Sequence, residues 1–109
     1  MAGVSYWVYL TIDTGGPNTH DIWGRNHTSN TASMWREAGA DLTEMDGMDA
    51  ATASYVLTQA IKEIASRPSK YRAMEPENGW GTYDSCLGFL REIRDACDEH
   101  PNAALRVSH

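Results

Sequence analysis

The chain has 109 residues, of which 41% are hydrophobic and 22% are charged. This length and composition predict a single globular domain over residues 1–109 and exclude collagen, coiled-coil and low-complexity chains. Fifteen acidic residues against nine lysines and arginines give a formal net charge of -6. Duplex nucleic acid is repelled by a chain this acidic, whereas a local pocket for a small anion is compatible with it.

No apolar run approaches the roughly 20 residues that a bilayer span requires, and the first ten residues lack the basic and apolar regions of a signal peptide. The two cysteines, Cys86 and Cys97, fall on one predicted helix. Eleven residues of helix place them about 16 Å apart, which is too far for a disulfide. We therefore expect a soluble cytoplasmic protein with buried free thiols and no membrane partner.

The first predicted element is a strand over residues 4–12, in which apolar side chains alternate with a face that carries Trp7 and Tyr9. Such a strand is covered on both sides, or it presents these aromatic rings to a ligand or partner. Turn-forming residues follow, and a polar loop is predicted to extend from Asp13 to Ser29. Because a two-stranded sheet is marginal, either this loop supplies another strand or a second copy of the chain extends the sheet.

Three helices are predicted next. Residues 30–38 have the spacing of a short helix. An apolar stripe over residues 49–66 predicts a long helix with Asp49 as its N-cap. A second stripe predicts another long helix between Thr82, as its N-cap, and Pro101.

Residues 69–74 are expected to add one helical turn, and residues 104–108 are predicted to form a terminal strand. The predicted fold is therefore α/β of the α+β type: a small sheet that includes the N- and C-terminal strands, packed with two long helices and a short helix.

Three motifs indicate chemistry only weakly. Residues 13–15 (DTG) match the local signature of an aspartic protease, but that fold is nearly all strand, unlike the helical pattern here. The acidic residues 41–49 lack the ligand spacing of a calcium loop. His20, Asp21 and His27 could hold a metal, but they have no metal-ligand spacing. We predict no catalytic set, no metal and no cofactor.

Two polar segments with aromatic residues are the best candidates for a binding site. Residues 23–30 and 78–83 each lead into a predicted helix, whose first N–H groups suit a phosphate or carboxylate. The candidate ligand-binding residues are Trp23, Arg25, Asn26, Asn30, Asn78 and Trp80. The alternative is that the asparagines tie loops to backbone groups while the tryptophans fill a small core.

The same segments carry a resemblance to a protein family. The sequence NHTSN at residues 26–30, the stretch PSKYRAMEPENGWGTYDSCLGFLREIRDACDEHP at residues 68–101 and ALRVS at residues 104–108 resemble a group of small proteins encoded by actinobacteria and their phages. Asn-x-Thr-x-Asn and NGWG elements recur in that group, and the resemblance implies no enzyme activity. In size, acidity and aromatic loops the chain is also similar to phage sponge proteins, which capture nucleotide-derived immune signals.

These observations favour a non-catalytic protein that sequesters a nucleotide-like small molecule, in the cytosol of the host if a phage encodes it. A tryptophan would stack on the base, Arg25 would pair with phosphate, and the asparagines would read base or ribose edges. Helix N-termini near Asn30 and Thr82 would add dipolar attraction.

Two alternatives remain open. In the first, Trp7, Tyr9 and the loop tryptophans form a protein interface of an assembly module, whose partner is a phage or host component. A homo-oligomer is expected for the sequestering protein as well. In the second, the chain is a small hydrolase that acts on a nucleotide and uses Asp13, Asp21 or His27.

Overall fold

The computed structural model describes residues 5–13 and 19–109. In chain order its elements are strands β1 (Ser5–Asp13) and β2 (Thr19–Thr28), a 3-10 turn (Ser29–Thr31), helices α1 (Ala32–Glu37), α2 (Ala50–Ser66), α3 (Pro68–Arg72) and α4 (Tyr83–Glu99), and strand β3 (Ala104–Ser108). The predicted fold class, a small sheet that includes the terminal strands and packs with helices, is confirmed. The turn and the protease-like motif predicted between β1 and β2 extend outside the described residues.

The sheet has the strand order β2-β1-β3, and both pairings are antiparallel. In β1 the side chains of Tyr6, Val8 and Leu10 are buried on the inner face, which packs against the helices. Trp7 and Tyr9 therefore point to the outer face, because successive side chains of a strand point to opposite sides.

The prediction of a loop up to Ser29 is wrong for residues 19–28, because these residues form β2; the alternative that they supply another strand is confirmed. Nine residues of β1 pair with β2, so backbone hydrogen bonds to the central strand order this polar segment. The register pairs Leu10 with Trp23 and Thr11 with Asp21, which leaves Ile22 as the extra residue of a bulge.

The long helices begin at the predicted N-caps. The Asp49 carboxylate accepts a hydrogen bond from the Thr52 N–H at 3.0 Å, and Thr82 and Ser85 form a reciprocal capping box at the start of α4. The apolar stripes of α2 and α4 pack together and bury residues that include Leu57, Ile64, Leu90 and Ile93. None of the helices in the described part of the chain is both long and apolar enough to cross a membrane.

Cys86 and Cys97 are free and buried on α4, as predicted. Burial raises the pKa of the Cys86 thiol to about 12 and that of the Cys97 thiol to about 11. Both side chains therefore stay protonated near neutral pH and act as small apolar core residues.

The four residues before the α4 cap, Asn78–Gly81, are called the NGWG segment here. Gly81 has a φ of 97°, which favours glycine. A Cβ atom at Gly81 would lie 2.7 Å from Cγ2 of Thr31 and 2.8 Å from Cγ2 of Thr28. The Gly81 backbone therefore rests directly on the end of β2 and on the 3-10 turn.

Gly81→Ala is expected to destabilise the protein more than Gly79→Ala. Both glycines have a positive φ, so both variants acquire backbone strain of about 1–2 kcal/mol. Only the Gly81 variant also drives a methyl group into Thr28 and Thr31, whereas a Cβ at Gly79 meets nothing within 4 Å. We expect an additional loss of about 1–3 kcal/mol for Gly81→Ala, measured by urea unfolding. Equal losses for the two variants would contradict this packing.

Candidate functional site

The six predicted site residues lie in three different places. In the sheet register Val8 pairs with Arg25 and Trp7 pairs with Asn26. Arg25 therefore lies on the inner side of the sheet, while Asn26 lies on its outer face. Trp23, opposite Leu10, shares the inner side, whereas the remaining three residues lie in or beside the NGWG segment and the 3-10 turn.

Trp23 and Arg25 line a crevice of about 230 Å³ between β2 and the second half of α4; its other lining residues are Glu92, Asp95, Ala96 and Glu99. The Arg25 Nε lies 3.3 Å from the Glu92 carboxylate, and its guanidinium carbon lies 5.5 Å from the centroid of the Trp23 ring. The lining carries three carboxylates and one guanidinium, and Arg94 pairs with Asp95 at 2.9 Å, so the crevice keeps a net negative charge. This environment opposes the phosphate-pairing role that the sequence suggested for Arg25.

Asn30, Asn78 and Trp80 come into one neighbourhood through the contact of Gly81 with Thr28 and Thr31. The Asn78 side-chain oxygen accepts a hydrogen bond from the Trp80 N–H at 2.9 Å. This amide therefore holds its own loop together, which agrees with the alternative that the asparagines bond to backbone groups of loops. Trp80 is not a core residue, because it is 69% exposed.

The N-terminus of α4 is occupied by groups of the protein itself. The Tyr83 N–H donates to the Glu75 carboxylate at 2.7 Å, and the Ser85 N–H donates to the Thr82 hydroxyl at 3.0 Å. Glu75 thus takes a position that an anionic ligand would need at this helix end. The dipolar attraction predicted near Thr82 is therefore largely satisfied internally.

The outer face of the sheet, called the open face here, carries an exposed aromatic pair. The rings of Trp7 and Tyr9 stack with centroids 6.3 Å apart and an interplanar angle of 13°, and Trp7 is 45% exposed. On β2 their partners are Asn26 and Gly24, and on β3 they are Ser108 and Arg106. No helix of the described chain packs on this face, because the helices contact the buried side of β1.

Sequence reasoning missed Arg106 as a member of the open face. Its Nε lies 2.9 Å from the Asp46 carboxylate, which also accepts the Val107 N–H at 2.9 Å. These bonds, chiefly the one from Arg106, lower the pKa of Asp46. The alternation of residues 104–108 does predict that Arg106 lies on the other face of the strand from Leu105 and Val107. No local sequence pattern, however, predicts that Arg106 lies beside Tyr9.

The residues of the hydrolase alternative do not form an acid–base set. Asp21 pairs with Thr11 towards one end of β1, while His27 pairs with Tyr6 five residues away and on the other face. Five strand residues span about 17 Å. Asp13 lies at the end of β1, far from His27. Within residues 5–13 and 19–109, no three His, Cys, Asp or Glu side chains lie close enough to hold a metal ion.

His27 instead is half-buried and packs against aromatic residues of the core. Its ring stacks on Phe89 with a centroid distance of 4.9 Å and lies 6.3 Å from the Trp35 ring. Its Nε2 atom is buried and has no hydrogen-bond partner among the described residues. Burial disfavours the charged imidazolium and therefore lowers the pKa of His27 from its ordinary value of 6.5.

His27→Phe is expected to remove part of the pH dependence of stability. Below about pH 6.5 the unfolded chain binds a proton at His27 more readily than the folded protein does, so the free energy of unfolding falls as the pH drops toward the folded pKa. Phenylalanine keeps the ring stack but cannot titrate. Urea unfolding between about pH 8 and pH 5 should show a smaller decline for the variant; parallel profiles would contradict this assignment.

The lowered pKa values of Asp46, Asp49 and Glu63 act in a separate pH window. Their stabilising contributions are present above the ordinary carboxyl pKa values and are lost as the pH falls below about 4, so they leave the His27 window undisturbed.

A comparison with protein-family models found no match, and comparisons with curated proteins and with solved structures likewise found none. Membership of the actinobacterial and phage group that the sequence resembles therefore stays a prediction. The strongest features with which to infer function are the open face and the surroundings of the NGWG segment.

Proposed function

We propose that this protein is a non-catalytic assembly module in which the open face binds a second copy of the chain. The stacked pair of Trp7 and Tyr9 carries this proposal, because Trp7 is 45% exposed on the side of the sheet away from the helices. Leaving a large apolar ring in water forgoes the free energy of its burial, and exposed aromatic patches typically mark interaction sites.

The neighbours of the aromatic pair support a protein interface. Trp7 lies between Asn26 and Ser108, and Tyr9 lies between Gly24 and Arg106. Aromatic and arginine side chains are enriched in interfaces, whereas lysine and glutamate are depleted. A Cβ at Gly24 would lie 3.2 Å from the Tyr9 ring, so glycine lets this ring lie flat over β2. The Tyr9 ring and the β2 backbone therefore form a flat surface.

The charge distribution supports self-association at this face. The whole chain carries a net charge of -6, which opposes the approach of two copies. Around Trp7, however, the partners are neutral, and the Arg106 charge is paired with Asp46 at 2.9 Å. Two copies that meet around a two-fold axis at the Trp7 end of this face would therefore bring aromatic and neutral polar groups together, whereas Asp13 and Asp21 lie toward the other end of β1.

The second candidate function is sequestration of a nucleotide-like small molecule, as in a phage anti-defence sponge. The contact of Gly81 with Thr28 and Thr31 favours it, because this contact brings the two candidate segments together beside the exposed ring of Trp80. That ring is available to stack on a base. A phosphate group of the ligand would need a cation other than Arg25, because Arg25 is paired with Glu92.

Trp7→Ser is expected to dissociate the assembly. Multi-angle light scattering should give about twice the chain mass of 12.1 kDa for the wild type and a monomer for the variant. Truncation of a central aromatic residue should weaken the dimer by about 30-fold or more. Tyr55→Ser is the matched control, because Tyr55 is an exposed aromatic residue on α2. A wild-type monomer at about 1 mM, or equal effects of the two variants, would overturn the proposal.

A thermal-shift screen with cyclic dinucleotides, cyclic ADP-ribose isomers and common nucleotides tests the second candidate. Binding to the folded state raises Tm, and Trp80→Ala should remove that increase while Tyr55→Ala keeps it. Chromatography of the ligand released by heat then distinguishes sequestration from turnover. Unchanged ligand indicates sequestration, whereas altered ligand indicates turnover. No increase of Tm with any of these compounds would contradict this candidate.

A further inference from the structure

A second cleft, distinct from the open face and from the six predicted site residues, lies between α1, α2 and the turns that connect them. Its volume is about 420 Å³, which is in the range of small-molecule sites. Arg36 of α1 and Val56 of α2 line it, together with residues of the connecting turns, namely Asp41, Glu44, Met45 and Met48.

One wall of this cleft is apolar. Met45 is buried, and Met48 and Val56 are half-buried against the core. Methionine side chains are flexible and polarisable, so they can adapt to the shape of an aliphatic ligand. This wall can therefore shield a small aliphatic group from water.

The lining of the cleft also carries both signs of charge, called the charged rim here, and these charges are only partly paired. The Arg36 Nη2 donates to the Tyr6 hydroxyl at 2.6 Å, while its Nε lies 4.0 Å from the Asp41 carboxylate. Its Nη1 has no hydrogen-bond partner among the described residues. Glu44 is exposed, and its carboxylate forms no ion pair or side-chain hydrogen bond with any of the described residues. The rim thus offers both a donor and a carboxylate to a ligand.

We propose that this cleft binds a free α-amino acid with an aliphatic side chain, of about the size of leucine. Arg36 binds the carboxylate, Glu44 and Asp41 bind the ammonium group, and the side chain lies against Met45, Met48 and Val56. A charge-assisted hydrogen bond forms at each end of such a ligand.

The charges select a zwitterion over singly charged molecules of the same shape. An aliphatic carboxylate would bind Arg36 but would also face Asp41 and Glu44. An aliphatic amine would bind these carboxylates but would face Arg36. Only a ligand with both charges pairs with both parts of the rim, so its binding is favoured over that of either relative.

The test is a titration of the ¹⁵N-labelled full chain with L-leucine, followed by two-dimensional NMR. Chemical-shift changes should concentrate at residues 36–56. The ligands 4-methylpentanoate, 3-methylbutylamine and glycine lack the ammonium group, the carboxylate and the side chain, respectively, and each should bind at least about tenfold more weakly.

Glu44→Gln should weaken leucine binding at least about fivefold, because it removes a charge partner of the ammonium group. The substitution should leave the free energy of unfolding nearly unchanged, because this carboxylate is exposed. Glu77→Gln, which removes an exposed carboxylate in the loop before α4, is the matched control and should leave binding unchanged. The proposal is overturned by an absence of shifts in the cleft at about 20 mM leucine, by equal binding of leucine and 4-methylpentanoate, or by equal effects of the two variants.

Discussion

The antiparallel pairing of β1 on both of its edges is the constraint on which the rest of the structure depends. Because helices pack on only one side of the sheet, the inner residues Tyr6, Val8 and Leu10 are buried. The same pleat then leaves Trp7 and Tyr9 on the other side. The open face is therefore a direct consequence of the strand that organises the core, and a shift of register by one residue would exchange the two sets.

The packing of β2 along α4 explains why the predicted binding residues separate. Trp23 and Arg25 lie beside the second half of this helix, near Ala96 and Glu92, whereas Gly81 precedes its first turn. A strand advances about 3.4 Å per residue and a helix 1.5 Å, so two residues along β2 correspond to roughly four along α4. Residues that are close in sequence at the start and end of β2 thus meet opposite ends of the helix.

The sequence predicts most of this fold because α2, α4, β1 and β3 each have a clear hydrophobic period. β2 lacks one for identifiable reasons: its inner positions are Trp23, Arg25 and His27, and the bulge at Ile22 interrupts the alternation. Arg25 tolerates an inner position because its guanidinium reaches solvent and Glu92 at 3.3 Å. In the candidate site, the local sequence predicts the hydrogen bond between the Asn78 side chain and its own loop. It does not predict contacts between distant segments, such as that of Gly81 with Thr31 or the position of Arg106 beside Tyr9.

Net charge is a poor guide to what this molecule can bind, because charge is distributed unevenly over its surfaces. The crevice beside Trp23 has a net negative charge, the surroundings of Trp7 are nearly neutral, and the cleft at Arg36 holds both signs. At an ionic strength of 0.1–0.15 M, exposed charges act over only about 8–10 Å. A ligand or partner therefore experiences one of these local environments rather than the overall charge of -6. Assembly through the open face and ligand binding in the cleft at Arg36 share no residue, so one can occur without excluding the other.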